Sequence, residues 1–191
     1  MTSPVPPDPE PAGEQAVRML LRASGVDPDD PVLARTPQRV AATFAELFAG
    51  VHEDETAPLR HGDAVPRGTQ VVALNDFEFR SICAHHLLPF SGTVSIAYSP
   101  VERIVGIGSI IRTLEILSTR PQLQEHLTQQ FADAIVAGAG ASGALVAMEA
   151  RHSCIADRGP REAASRLRTI AAAGDLVDGE KRREALRAIH G

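Results

Sequence analysis

A chain of 191 residues, 43% hydrophobic and 23% charged, is long enough for one domain with a real core and too apolar to be disordered throughout. Aromatic residues make up only 4%, there is no tryptophan, and the formal net charge is -5. That excludes a base-stacking platform and an overall basic footprint for nucleic acid, while a local arginine cluster could still bind a small anion.

The opening "MTSPVPPDPEPAGEQ" has neither the basic nor the apolar region of a signal peptide, and no apolar run reaches membrane-spanning length. The expectation is a cytoplasmic protein with no membrane partner. In that compartment its two cysteines, Cys83 and Cys154, are thiols rather than a structural disulfide.

Residues 1–12 are rich in proline and acid and read as a disordered tail. A helix follows over Glu14–Ala23. "TPQRVAATFAELFAG" predicts a second, with Thr36 as cap, Pro37 in the first turn, Gly50 at the end, and Val40, Phe44, Leu47 and Phe48 on one face. Residues 51–68 carry glycine, proline and charge and read as a loop, so that 13–68 forms an N-terminal helical region. The period then changes. "TQVVALNDFEFRSI" and "GTVSIAYSP" predict strands, Ile110–Leu117 a helix, and Pro121 to about Val136 another, with Leu123, Leu127, Phe131 and Ile135 at helical spacing. "GALVAMEARHSCIA" predicts a strand. A polar stretch and a last helix near Gly179–Ile189 close the chain. The order implies an α+β domain over 69–191 with a largely antiparallel sheet. "GAGASG", Gly138–Gly143, matches a dinucleotide-loop pattern, but it follows a helix and precedes a strand, the reverse of what such a loop requires. It reads as a connection.

The chemistry sits in "SICAHHLLPFSG" and "EARHSCIA". Cys83 and His86 have a C-x2-H spacing that can bend round one tetrahedral zinc. Alone, such a pair is more often a buried thiol near a hydrogen-bonded imidazole. His152 and Cys154, two apart on a predicted strand, would share a face. Two segments that each offer a cysteine and a histidine change the balance toward a metal. Cys83, His86 and Cys154 make three ligands and leave a fourth position open, the arrangement of a catalytic zinc. His85 and His152 stand beside it as groups that could move protons.

With these pieces in place the chain resembles the GTP cyclohydrolase I family. "TPQRVA", "SICAHHLLPFSGTVSIAYSP", "VGIGSIIR", "RPQLQEHLTQQ" and "EARHSCIADRG" occur in the family's order across roughly residues 13–190. The resemblance implies a tunnelling fold, an antiparallel sheet with helices on one face, and assembly into a homo-oligomeric ring, commonly two face-to-face pentamers. It implies zinc on Cys83, His86 and Cys154, proton transfer by His85 and His152, and guanine reading by Gln124 and Glu125. Arg39, Arg112 and Arg158 fall at triphosphate-binding positions, and Ser109 stands where the phosphate end of the substrate is met. The implied reaction opens the imidazole ring of GTP at C8, releases formate and recloses the product as dihydroneopterin triphosphate.

Three departures matter. The family's C-E-H-H is Cys83-Ala84-His85-His86. Its Ser-Lys pair is replaced within "GIGSIIR" by Gly108 and Ser109, so the lysine is gone. Its threonine-rich stretch becomes "SRLRTIAAAG", where Arg166 or Arg168 could stand in for the lost cation. Two alternatives therefore stay open: a paralogue that hydrolyses another guanine nucleotide or nucleoside, with or without arrest at a ring-opened formamide, and a non-catalytic ring protein stabilised by zinc.

Overall fold

The structure, a computed structural model, describes residues 9–190. The chain divides into two compact units, which meet in sequence at Phe48 and Ala49. The segment 49–68, grouped by sequence with the N-terminal helices, belongs to the larger unit, and Leu59 is fully buried in its core.

The smaller unit holds α1 (Pro9–Ala23) and α2 (Thr36–Leu47). The first helix begins earlier than expected and takes in residues 9–12 of the expected tail; residues 1–8 lie outside the described residues. In α2, Val40, Phe44, Leu47 and Phe48 are half-buried, as their spacing predicts. Thr36 does not cap the helix. It is the first helical residue, Arg35 is the cap, and no side chain caps the end. Pro37 sits in the first turn, where a missing N–H costs nothing.

The larger unit contains two short 3-10 turns (Ala49–His52 and Ala57–Leu59) and β1 (Asp63–Ala64), β2 (Val72–Cys83), β3 (Pro89–Ser99) and β4 (Arg103–Ile104). There follow α3 (Ile107–Ser118), β5 (Pro121–Gln122), α4 (Gln124–Ala139), β6 (Gly143–His152), α5 (Ser153–Ala156), β7 (Leu167–Gly174) and α6 (Gly179–His190). The main sheet has the order β5-β2-β3-β6-β7. It is antiparallel except that β5 runs parallel to β2, through Ile82–Pro121 and Cys83–Gln122.

Side chains alternate across the sheet. Val94, Ile96, Tyr98, Val146 and Met148 join the core with Leu114 and Leu117 of α3 and Leu127, Phe131 and Ile135 of α4. Ala97 and Leu145, one step out of phase, pack with Leu176, Ala185 and Ile189. The expectation of helices on one face is thus corrected: α3 and α4 cover one face, and α6 closes the other. The β3–β6 pair is close at Gly92, where a Cβ would come within 1.8 Å of the Glu149 carbonyl oxygen. Gly140, at φ +66°, ends α4 in the left-handed conformation that glycine adopts cheaply, so "GAGASG" is a helix-to-strand connection.

Two further expectations change. The strand through "GALVAMEARHSCIA" ends at His152, and Cys154 lies in the single turn of α5. The stretch "LRTIAAAG", read as part of a polar tail, is strand β7, paired with β6 from Leu167–Ala150 to Gly174–Gly143.

Candidate active site

Cys83 ends β2 and Cys154 lies in the turn that follows β6, so the sheet itself sets the two thiols at one end. Both are free and buried. Ligand atoms of Cys83, His152 and Cys154 all lie within 4.8 Å of one another, the only such group of three among the described residues. Alternation along one strand does not produce this. The chain turns at Ser153, and the turn of α5 brings Cys154 back beside His152.

The donor set fits a soft or borderline cation such as zinc, since two thiolates and an imidazole are its usual ligands. Burial pushes the Cys154 thiol up, and the neighbouring Cys83 pushes it further; Arg158 opposes the shift. Two buried thiolates this close repel each other, and a cation between them removes that cost.

The connection from Cys83 to Pro89 is tight. The N–H of Cys83 donates to the Leu88 carbonyl (2.9 Å), and the N–H of Leu87 donates back to the Cys83 carbonyl (2.8 Å). Leu87 has φ +52°, a strained value for a bulky residue. This turn carries His85 and His86 as exposed side chains, with ring centroids 6.2 Å apart. His86, expected as the third ligand, is outside the group that contains the cysteines; His152, expected beside it, is inside.

His152 pairs with Phe90 across β6 and β3, and the rings stack at 4.6 Å and 5°. Burial lowers the His152 pKa below the ordinary histidine value, and the nearby Glu125 carboxylate opposes that shift. Its Nε2 lies 2.8 Å from Oε1 of Gln124. Gln124 and Glu125 open α4, yet they point differently: Glu125 is exposed, whereas Gln124 is 1% exposed and turned into the core. A cavity of about 130 Å³ beside His152 is lined by Ile155, Glu162, Ser165, Arg166 and Leu167.

The expected phosphate-end residues are more scattered. Ser109 is half-buried in the first turn of α3. Arg112, one turn on, is held by Glu53 at 2.6 Å and Glu115 at 3.4 Å. The hydrogen bonds it donates to Glu115 and Glu53 hold its pKa above the ordinary arginine value. Arg158 is exposed just after α5 and close enough to Cys154 to bias its thiol. Arg39 is exposed on α2, in the smaller unit. Arg168 is paired with Glu149 at 3.0 Å, whereas Arg166 donates only to the carbonyls of Ala163 and Ser165 among the described residues.

Sequence reading missed Phe90, Thr128 and Thr169. The β3–β6 register would have pointed to Phe90, opposite His152, but strand register is not visible in composition.

A mixed α+β domain that gathers two thiols and an imidazole at one end of its sheet carries a group that could hold a metal ion. The comparisons with known proteins are more specific. The family model described as GTP cyclohydrolase I matches residues 13–190. GTP cyclohydrolase 1 of Leifsonia xyli subsp. xyli is 44% identical over 182 residues, covering 92% of this chain and 93% of the relative. The protein of the same name from Dehalococcoides mccartyi is 43% identical over 169 residues (87% and 89%), and that of Finegoldia magna 39% over 177 residues (92% and 96%). The apo archaeosine synthase QueF-Like structure aligns with a TM-score of 0.44 and 16% identity over 56% of this chain and 97% of that one, a likeness too slight to bear on the fold. The chain belongs to the GTP cyclohydrolase I family and is an enzyme of that family.

Proposed function

We propose that this enzyme hydrolyses GTP at C8 of the guanine, opening the imidazole ring, releasing formate and reclosing the remainder as dihydroneopterin triphosphate. The observation that carries the reading is the meeting of Cys83, Cys154 and His152, with Glu125 near enough to act on the histidine's charge. Cys83 and Cys154 would hold a zinc. His86, three residues after Cys83 on the tight turn, would complete the set that the family motif assigns. When bound, the zinc supplies Lewis-acid activation of water near neutral pH.

The chain's own residues do the rest. His152, partly desolvated and stacked on Phe90, is kept neutral and so able to take a proton. His85, exposed on the turn, is the second proton carrier. The exposed Glu125 carboxylate accepts from guanine N–H groups, and a base lacking those donors would leave it unpaired. Arg112 and Arg158 meet the phosphates, with Ser109 at the same end.

We further infer a homo-oligomeric ring, two face-to-face pentamers, in the cytoplasm, with the subunit in the tunnelling fold. Among the described residues the outer edge of β2 is paired only at Ile82 and Cys83, and β7 has no strand on its outer side. Open edges of this length call for partners.

A second reading has its own support. The family's lysine position holds Ser109, and Arg112 is already neutralised by two carboxylates. Both leave less cationic charge for a triphosphate and favour a guanine nucleotide with fewer phosphates, or a reaction that halts after ring opening. The deciding experiment incubates zinc-loaded protein with GTP, GMP and guanosine and follows formate and pterin absorbance together. Formate and pterin from GTP in equal amounts support the first reading. Faster turnover of GMP or guanosine, or formate without pterin, replaces it with the second.

A further inference from the structure

We propose that Gln124 is a positioning residue that fixes the tautomer of His152 and does not read the guanine with its side chain. The inference deepens the proposed function and rests on it for the role of His152.

The side-chain amide of Gln124 has no hydrogen left for a substrate, and its oxygen is buried against His152. Its Nε2 donates toward the carbonyl of Leu167 at 3.0 Å, Thr169 Oγ1 at 3.1 Å and the carbonyl of Met148 at 3.3 Å. Its Oε1 faces His152 Nε2 at 2.8 Å. The residue is 1% exposed.

The direction of the amide is not arbitrary. Turned over, its oxygen would face two backbone carbonyls, and neither has a hydrogen to give. A hydroxyl circuit agrees. Thr128 Oγ1 donates to the Gln124 backbone carbonyl at 2.6 Å, so its single hydrogen is used. Thr169 Oγ1, 2.6 Å away, must then donate to Thr128, and its own lone pair accepts from the Gln124 amide. Every hydrogen in the loop is placed. The one group left facing His152 is an oxygen that can only accept. His152 must therefore carry its proton on Nε2, and the neutral ring has its free lone pair on Nδ1.

Two strands and a helix build this lock. Met148 and Thr169 are direct partners across β6 and β7, and Gln124 and Thr128 are one turn apart on α4. The stack on Phe90 fixes the ring plane, and Gln124 fixes which nitrogen is basic. Outer hydrogen-bond partners of metal-site histidines matter by about 10- to 100-fold, and His152, beside the two thiols, is expected to respond on that scale.

The test uses the full-length, zinc-loaded protein labelled with ¹⁵N-histidine. Magic-angle-spinning NMR reads which ring nitrogen of His152 bears hydrogen, with the signal assigned by its loss in His152→Gln. A protonated Nε2 in the parent supports the proposal, and a proton on Nδ1 overturns it. This readout does not depend on turnover, so a protein inactive on GTP would defeat the proposed function and leave the lock testable. In Gln124→Met the acceptor is gone. The expected result is a fall in kcat of about 10- to 100-fold with little change in KM. A raised KM with kcat kept would mean that Gln124 reads the base, and would overturn the proposal. Should Gln124→Met not fold, Thr169→Val and Thr169→Ser decide. The valine variant should broaden or mix the His152 tautomer signal, and the serine variant, which keeps the hydroxyl, should restore it. Identical spectra from the two would also overturn it.

Discussion

Phe90→Leu probes the packing that holds the site in place. Phe90 is 1% exposed, meets Phe79 edge-on at 5.9 Å and stacks on His152 at 4.6 Å. Leucine roughly keeps the volume, and such swaps cost less than about 1.5 kcal/mol. The lost edge contact with Phe79 adds about 0.5–1.5 kcal/mol, and the lost stack on His152 a similar amount. A total near 2 kcal/mol, at about 2–4 °C per kcal/mol for a chain of this size, lowers Tm by roughly 4–8 °C. Thermal unfolding followed by circular dichroism, at matched protein and zinc concentrations, measures it. Activity should fall as well, because the His152 ring loses the surface that sets its plane. A variant with the parent's Tm and the parent's kcat/KM would refute the claim that this ring pair organises the site.

Gly92→Ala should destabilise by about 1–3 kcal/mol, because its Cβ would lie 1.8 Å from the Glu149 carbonyl oxygen; urea unfolding checks this. Glu55→Gln tests an ion pair: Glu55 accepts from Arg120 at 2.9 Å, and its carboxyl is held below the ordinary glutamate value by the hydrogen bond from its own backbone N–H and then by Arg120, against burial. A depressed carboxylate stabilises the fold above its unfolded pKa and loses that contribution as pH falls through the folded one. The variant should therefore be less stable than the parent by up to about 1 kcal/mol at pH 7, with the gap closing below about pH 4 in a pH series of melts. Ser109→Lys should lower KM for GTP by roughly tenfold or more, the return of a charge-assisted contact of about 1.5–3 kcal/mol; steady-state kinetics measure it, and an unchanged KM favours the second reading.

How much of this was legible follows from what each residue needs. The sequence pointed to Cys83 and Cys154 at one place, and both sit at strand ends at one end of the sheet; the imidazole grouped with them is His152, where the C-x2-H spacing pointed to His86. The face that His152 and Cys154 share was reached for the wrong local reason: Cys154 is in the turn of α5, not on the strand. β7 was hidden because "AAAG" lacks the β-branched run that marks a strand, and its pairing with β6 supplies what propensity does not. The inward turn of Gln124 was beyond sequence altogether. Glu125 beside it is exposed, and only the β6–β7 register brings Leu167, Met148 and Thr169 around one of the two.

The central claim, that the two cysteines hold a metal for this chemistry, is tested most directly by the zinc content of purified variants. Elemental analysis of the parent should give about one zinc per chain. Cys83→Ala, Cys154→Ala and His86→Ala should each lose it, while His85→Ala keeps it; zinc kept by His86→Ala and lost from His152→Ala would make His152 the third ligand, as its place beside the two thiols allows. If Cys154→Ala retains as much zinc as the parent, the metal is not where the two cysteines meet, and the account of the site is wrong.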